Sequence, residues 1–181
     1  MAYLEKFTHQ SLSEAREKWL ADAIKLNFPT IDIEKVFAFA ASHIDYEKVV
    51  SDSLSYAIFN DETKDCLAVV DIIVSKDNPQ NIYIKMLSVD LCPMLIDVLI
   101  NDRMDRIEHV IDVYSQATLG TIMLTSSHNA DIVKLYGRSQ SMKLLLKSLE
   151  SSINARTDIK LNTNWEGNWL AVTPKVDRIL K

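Results

Sequence analysis

Only three glycines, Gly120, Gly137 and Gly167, occur in the 181 residues of this chain, where average usage of about 7% would give about 13. Glycine lets backbone amides close around a phosphate, so the shortage constrains fold and chemistry together. Neither the Walker A spacing nor the dinucleotide-binding G-x-G-x-x-G can be built from these positions. The rest of the composition is that of a globular protein, 48% hydrophobic and 25% charged. Folding a chain of this length hides roughly 70% of its extended surface. The expectation is a single domain over 1–181, with a helical part (1–53) preceding a sheet-containing part (54–181).

The net charge is −5, which argues against a nucleic-acid partner, because tracking phosphates needs clustered Lys and Arg. The charge is unevenly spread: −3 over 1–60, −6 over 61–112 and +4 over 113–181. A cationic ligand is favoured by the middle third and an anionic one by the last. Cys66 and Cys92 stand 26 apart with no histidine at ligand spacing, so they read as reduced core thiols, with no metal site. The apolar runs 67–74 and 94–100 are short and interrupted by Asp71 and Asp97. The expectation is therefore a cytoplasmic protein with neither a membrane span nor an export signal.

Ser11 and Glu14 have capping-box spacing, and Ala15, Trp19, Leu20, Ala23 and Ile24 recur at helical intervals, which predicts a helix over 12–27 ended by Pro29. A second helix is expected over Asp32–Ser42, and a helical turn at Tyr46–Val50. Leu54–Phe59, Cys66–Ser75 and Ile82–Leu91 are rich in Val, Ile and Tyr and are joined by turn-forming residues, which predicts an antiparallel three-strand meander. Pro93 suits a first helical position, and Met104, Ile107, Val110, Ile111 and Tyr114 extend a helix over much of 94–117.

Gly120 then reads as a left-handed terminator, Thr121–Thr125 as a short buried strand, and Ser127-His-Asn129 as the start of a long helix carrying Ile132, Leu135, Tyr136, Met142, Leu145, Leu146 and Leu149. That helix should fray near Ser151-Ser152. Asp158–Asn164 and Trp169–Thr173 read as a hairpin whose loop, Glu166-Gly167-Asn168, sets Trp165 opposite Trp169. No internal repeat divides the chain.

This order of elements resembles the GNAT (N-acetyltransferase, acyl-CoA N-acyltransferase) superfamily from about residue 54 onward. Leu87-Ser-Val-Asp90 resembles the end of the family's fourth strand, and Thr125-Ser-Ser-His-Asn129 with Ala130, Leu135 and Tyr136 resembles its fifth-strand exit and the helix that follows. The resemblance implies an α/β fold in which a meander is followed by a parallel pair of strands, with flanking helices and a closing C-terminal hairpin. It implies acetyl-CoA, whose pantetheine arm would pair with backbone at Leu87, Val89 and Leu91. Ser127, Asn129, Lys134 and Arg138 are the other positions implied for it. Tyr136 is implied as the acid that protonates the leaving thiolate, and Asp90 or Asp71 as the base for a small-molecule or protein amine.

The sequence departs from the family where the pyrophosphate would be wrapped. Leu91–Ile100 holds no glycine and no Arg, Asp97, Asp102 and Asp105 follow, and Gln140 and Ser141 stand where the family has Gly-Phe. Carboxylates there repel a bound phosphate. The alternative is a non-catalytic GNAT-fold binding or structural module, as a homo-oligomer or as part of a larger assembly such as a virion or toxin system. Plainer roles are open for the same residues: Tyr136 as core, the aspartates as caps, and Lys134, Arg138, Lys143 and Lys147 as a solvated helix face. His128 has no partner identifiable for a nucleophilic triad, and His9, His43 and His109 are scattered.

Overall fold

The structure is a computed structural model that describes residues 2–44, 53–78, 81–101, 103, 106–138, 140–155 and 161–174. In chain order the elements are β1 (Ala2–Lys6), α1 (His9–Lys25), α2 (Thr30–Ala41), β2 (Ser53–Asn60), β3 (Cys66–Asn78), β4 (Asn81–Leu91), α3 (Pro93–Ile100), α4 (Ile107–His128), β5 (Ile132–Tyr136), α5 (Gln140–Ala155), β6 (Leu161–Glu166) and β7 (Trp169–Pro174). The strands form one mixed sheet in the order β1-β2-β3-β4-β5-β7-β6. The meander, the parallel β4–β5 pair and the closing hairpin are the α/β architecture expected from the sequence. The helical turn expected at Tyr46–Val50 lies outside the described residues.

The chain divides into two compact units, Met1–Ile73 with Leu87–Gly120, and Val74–Met86 with Thr121–Lys181. In the first, α1 begins one turn earlier than the sequence suggested. Ser11 N donates to Thr8 Oγ1 at 3.0 Å and Thr8 N donates to Ser11 Oγ at 2.9 Å, so the capping box is Thr8–Ser11 and not Ser11–Glu14. The flanking Phe7 and Leu12 are both buried, in the positions of a hydrophobic staple. Trp19, 2% exposed, donates its Nε1 hydrogen to the Cys66 carbonyl at 2.8 Å and meets Phe37 of α2 edge to face, centroids 5.1 Å apart. These contacts fix the α1–α2 hairpin against the start of β3. β1 was missed by the sequence reading, which had a purely helical segment there; it pairs antiparallel with β2.

Residues 94–128 are two helices where one helix and a strand were expected. α3 ends at Ile100, and α4 runs through Thr121–Thr125 to His128. The buried positions Val110, Val113, Ala117 and Thr121 recur every three or four residues, and this helical period overrides the strand propensity of the Thr-Ile-Met-Leu-Thr run. Gly120 is therefore inside a helix and does not end it. A Cβ at Gly120 would lie 2.6 Å from Leu4 Cβ, so its missing side chain is what lets α4 approach β1.

In the second unit the residue that ends α4 is Asn129, with φ 51°, while Ala130 N donates to the Thr125 carbonyl at 2.9 Å. Ile132–Tyr136, expected on a helix, is β5: Val133 and Leu135 are buried and the residues between them are half-exposed, a period of two. β5 runs parallel to β4 from Tyr83↔Ile132 to Met86↔Leu135, and β4 continues to Leu91. α5 extends past Ser151-Ser152 to Ala155. In the hairpin Trp165 faces Leu170 and Glu166 faces Trp169, so the tryptophans are not opposite. The turn has two residues, Gly167 with φ 65° and Asn168, the pattern of a type II′ turn.

Candidate functional site

Two of the three expected catalytic residues come together in the first unit. β2 and β3 pair with Ser55 opposite Asp71, and Ser88 and Asp90 alternate onto one face of β4. Ser55 Oγ donates to Asp71 Oδ1 at 2.6 Å. Ser88 Oγ lies 3.2 Å from Asp71 Oδ2 and 2.9 Å from Asp90 Oδ2. A serine hydroxyl has one hydrogen. That hydrogen can bond only one of the two carboxylates at a time.

Burial of Asp71 pushes its carboxyl above the ordinary carboxylate range, and the negative charge of Asp90 adds to the rise; the bonds from Ser55 and Ser88 and the charge of His43 work against it. Tyr114 on α4 is electrostatically coupled to the same group, its phenol raised by burial and then by Asp90. A half-buried carboxyl beside a second one binds its proton more readily than usual. Ser55, Ser88 and Tyr114 were not singled out from sequence. Ser88 was legible as the same-face neighbour of Asp90, two residues away on a strand, but Ser55 and Tyr114 required the pairing register and the course of α4.

The remaining expected residues are placed differently. Leu87, Val89 and Leu91 belong to the first unit on β4, and Val89 and Leu91 are buried in its core. Tyr136 and Lys134 lie in the second unit, on β5 and not on a helix. Tyr136 stacks obliquely on Trp169, centroids 4.7 Å apart, and Lys134 forms an ion pair with Glu166 at 2.7 Å. Ser127 and Asn129 close the C-terminal end of α4, with Ser127 Oγ donating to the Leu124 carbonyl, where the sequence suggested a helix start. Arg138 follows β5, exposed. The expected grouping of Lys134 and Arg138 with Lys143 and Lys147 on one helix is absent, since only the last two are on α5.

The start of α3 offers few free amides. Its first residue, Pro93, has no N–H; Cys92 N donates to the Leu67 carbonyl at 2.9 Å and Leu95 N to the Cys92 carbonyl at 3.0 Å. A helix start normally offers four free amides, and here one is missing and two are bonded. Buried Asp97 stands in the same helix, hydrogen-bonded to Asn101 and 3.6 Å from Arg103. Asp102 and Asp105 lie outside the described residues. A cavity of about 340 Å³ in the first unit, between Tyr3, Lys6, Ser11, Lys18, Phe59 and Lys64, is lined by none of Asp71, Ser88 and Asp90. Among the described residues no group of three or more His, Cys, Asp and Glu is placed to hold a metal ion. No described helix is long and apolar enough to cross a membrane.

No family model matches this sequence, and no curated protein matches it. Among solved structures the chain is similar to a GNAT-family acetyltransferase from Staphylococcus aureus Mu50, over 97% of this chain and 99% of that one, at 10% identity and TM-score 0.46. It is also similar to an acetyltransferase from Thermus thermophilus, over 96% and 97% of the two chains at 8% identity and TM-score 0.45. A GNAT-family acetyltransferase from Bacillus anthracis aligns over 94% and 91% at 8% identity and TM-score 0.46. These are likenesses of fold.

Proposed function

We propose that this chain acts on a primary amine, as the acceptor side of N-acyl transfer, at the Asp71–Ser88–Asp90 cluster. The observation that carries this reading is the single Ser88 hydroxyl shared by two carboxylates at 3.2 and 2.9 Å. An ammonium brings three donor hydrogens, and its charge offsets the repulsion of the pair. Before an amine nitrogen can attack an acyl carbon it must lose a proton, and an ordinary carboxylate is a weak acceptor for it. Burial and the charge of Asp90 raise the basicity of Asp71 and narrow that gap. Asp71 takes the proton, Asp90 holds the ammonium beforehand, and Ser55 keeps the Asp71 carboxylate in place through Oδ1.

The donor that goes with this architecture is a CoA thioester, taken as a substrate. The start of α3 offers its pyrophosphate few free amides, and that observation favours a second reading, a GNAT-like protein that binds an amine without acylating it. One experiment separates the two. The full chain is given acetyl-CoA with propylamine or spermidine, thiol release is followed, and calorimetry measures amine binding to wild type and to Asp71→Asn. Amine-dependent release that disappears in Asp71→Asn supports acyl transfer. Amine binding weakened in Asp71→Asn with no release supports the binding module. Amine binding that is absent, or unchanged by the substitution, refutes both.

A further inference from the structure

One face of the sheet in the second unit gathers three aromatic rings and two ammonium groups. Tyr83 and Lys85 stand on β4, Lys134 and Tyr136 on β5 and Trp169 on β7; the registers Lys85↔Lys134 and Tyr136↔Trp169 put them on the same side. The opposite face is core, with Val133, Leu135, Leu170 and Val172 all buried. Lys85 Nζ lies 5.1 Å from the centroid of the Tyr83 ring and 5.7 Å from that of Trp169, and Lys134 Nζ lies 5.2 Å from Tyr83. Tyr136 and Trp169 are inclined by 36°.

The two lysines differ in what neutralises them. Lys134 reaches over the small Ala171 to Glu166 on β6, 2.7 Å away. Lys85 has ring contacts but, among the described residues, no carboxylate partner. Trp169 and Lys85 are only half-buried. A base finds a stacking surface on an aromatic side chain, and stacking of this kind is worth roughly 1–3 kcal/mol per base. A lysine acts on phosphate as a compact positive charge. Both are present within the span of one nucleotide, whereas a strand of nucleic acid needs a row of such charges.

We propose that this face binds a mononucleotide, with its base stacked on Trp169 beside Tyr136 and its phosphate at Lys85. The assignment does not rest on the amine site, since it uses none of the same residues.

The test is calorimetric titration of the full chain with AMP, adenosine and inorganic phosphate, with tryptophan emission followed in parallel. AMP is expected to bind saturably and to quench emission, and adenosine and phosphate to bind at least about tenfold more weakly. Lys85→Gln, a half-buried position on a strand, is expected to weaken AMP about tenfold while leaving the unfolding temperature close to wild type. Trp169→Tyr keeps a ring for stacking and is expected to retain AMP binding while losing the quench. The proposal is overturned if AMP gives no saturable heat or if the AMP affinity of Lys85→Gln equals that of wild type. A short single-stranded oligonucleotide bound more tightly than AMP overturns the mononucleotide assignment.

Discussion

Gly120→Ala sets helix propensity against packing, and the two predict opposite signs. In an exposed helix interior, alanine is favoured over glycine by about 1 kcal/mol. Here the added Cβ would lie 2.6 Å from Leu4 Cβ, 2.8 Å from Cδ2 and 3.2 Å from Cγ. Ordinary contact between carbons begins near 3.5 Å, so either α4 or β1 must move by close to an ångström. Overpacking of this kind costs roughly 1–3 kcal/mol, which leaves a net loss of up to about 2 kcal/mol and a fall in Tm of up to about 8 °C for a chain of this size.

The sharper quantity is the coupling between the two positions. Leu4→Gly removes all three crowding atoms, so in that background Gly120→Ala should recover the full propensity gain. A double-mutant cycle by urea unfolding should then give an interaction energy of about 1–3 kcal/mol. A coupling below about 0.5 kcal/mol, the usual limit for independent sites, or a gain of about 1 kcal/mol in the wild-type background, would refute the packing of α4 on β1.

Two further perturbations test the core and the carboxylate pair. Trp19→Phe strands the buried Cys66 carbonyl and leaves space beside Phe37; about 1–3 kcal/mol for the unbonded acceptor and about 1 kcal/mol for the cavity predict a Tm roughly 5–15 °C lower. A loss under about 1 kcal/mol in chemical denaturation would mean that the indole hydrogen bond is not made. The Asp71 carboxyl is raised above 3.8 in the folded chain, so between its unfolded and folded values the native state holds the extra proton. Stability therefore falls as pH rises through that window, and the cost is fully present above the folded value. Asp71→Asn removes this cost, and its urea midpoint should gain on wild type as pH rises from 4 to neutrality; parallel profiles would exclude the raised carboxyl.

The regular part of the fold was legible because local and tertiary preferences agree there. The β-branched runs of β2, β3 and β4 and the turn residues between them specify the same meander, Pro29 separates the first two helices, and Pro93 opens the third. Residues 120–136 misled because short-range signals conflict. Gly120 reads as a stop, but its role is to let Leu4 in. The Thr-Ile-Met-Leu-Thr run reads as strand, yet Thr121 completes a buried helical stripe begun at Val110. Ile132, Leu135 and Tyr136 fit a helical spacing, while Val133 and Leu135 carry the period of two that decides the matter. Asp71 and Asp90 came from the family resemblance, which implies a base on the fourth strand or the one before it. Their bridge did not, since a serine becomes informative only when register sets it between two acids.

The buried thiols bear on how the chain can be handled. Burial holds Cys92 up at about 11 and Cys66 higher still, and both are free. Because only the thiolate reacts, at pH 8 a thiol of pKa about 11 is ionised in about one molecule in a thousand. The folded chain is thus close to silent toward alkylating reagents, and labelling at Cys66 or Cys92 times the opening of the β3 start or the α3 start. A cysteine introduced on the surface becomes the one fast-reacting handle, suited to attaching a reporter beside Lys85 or Asp71 with the native thiols left in place.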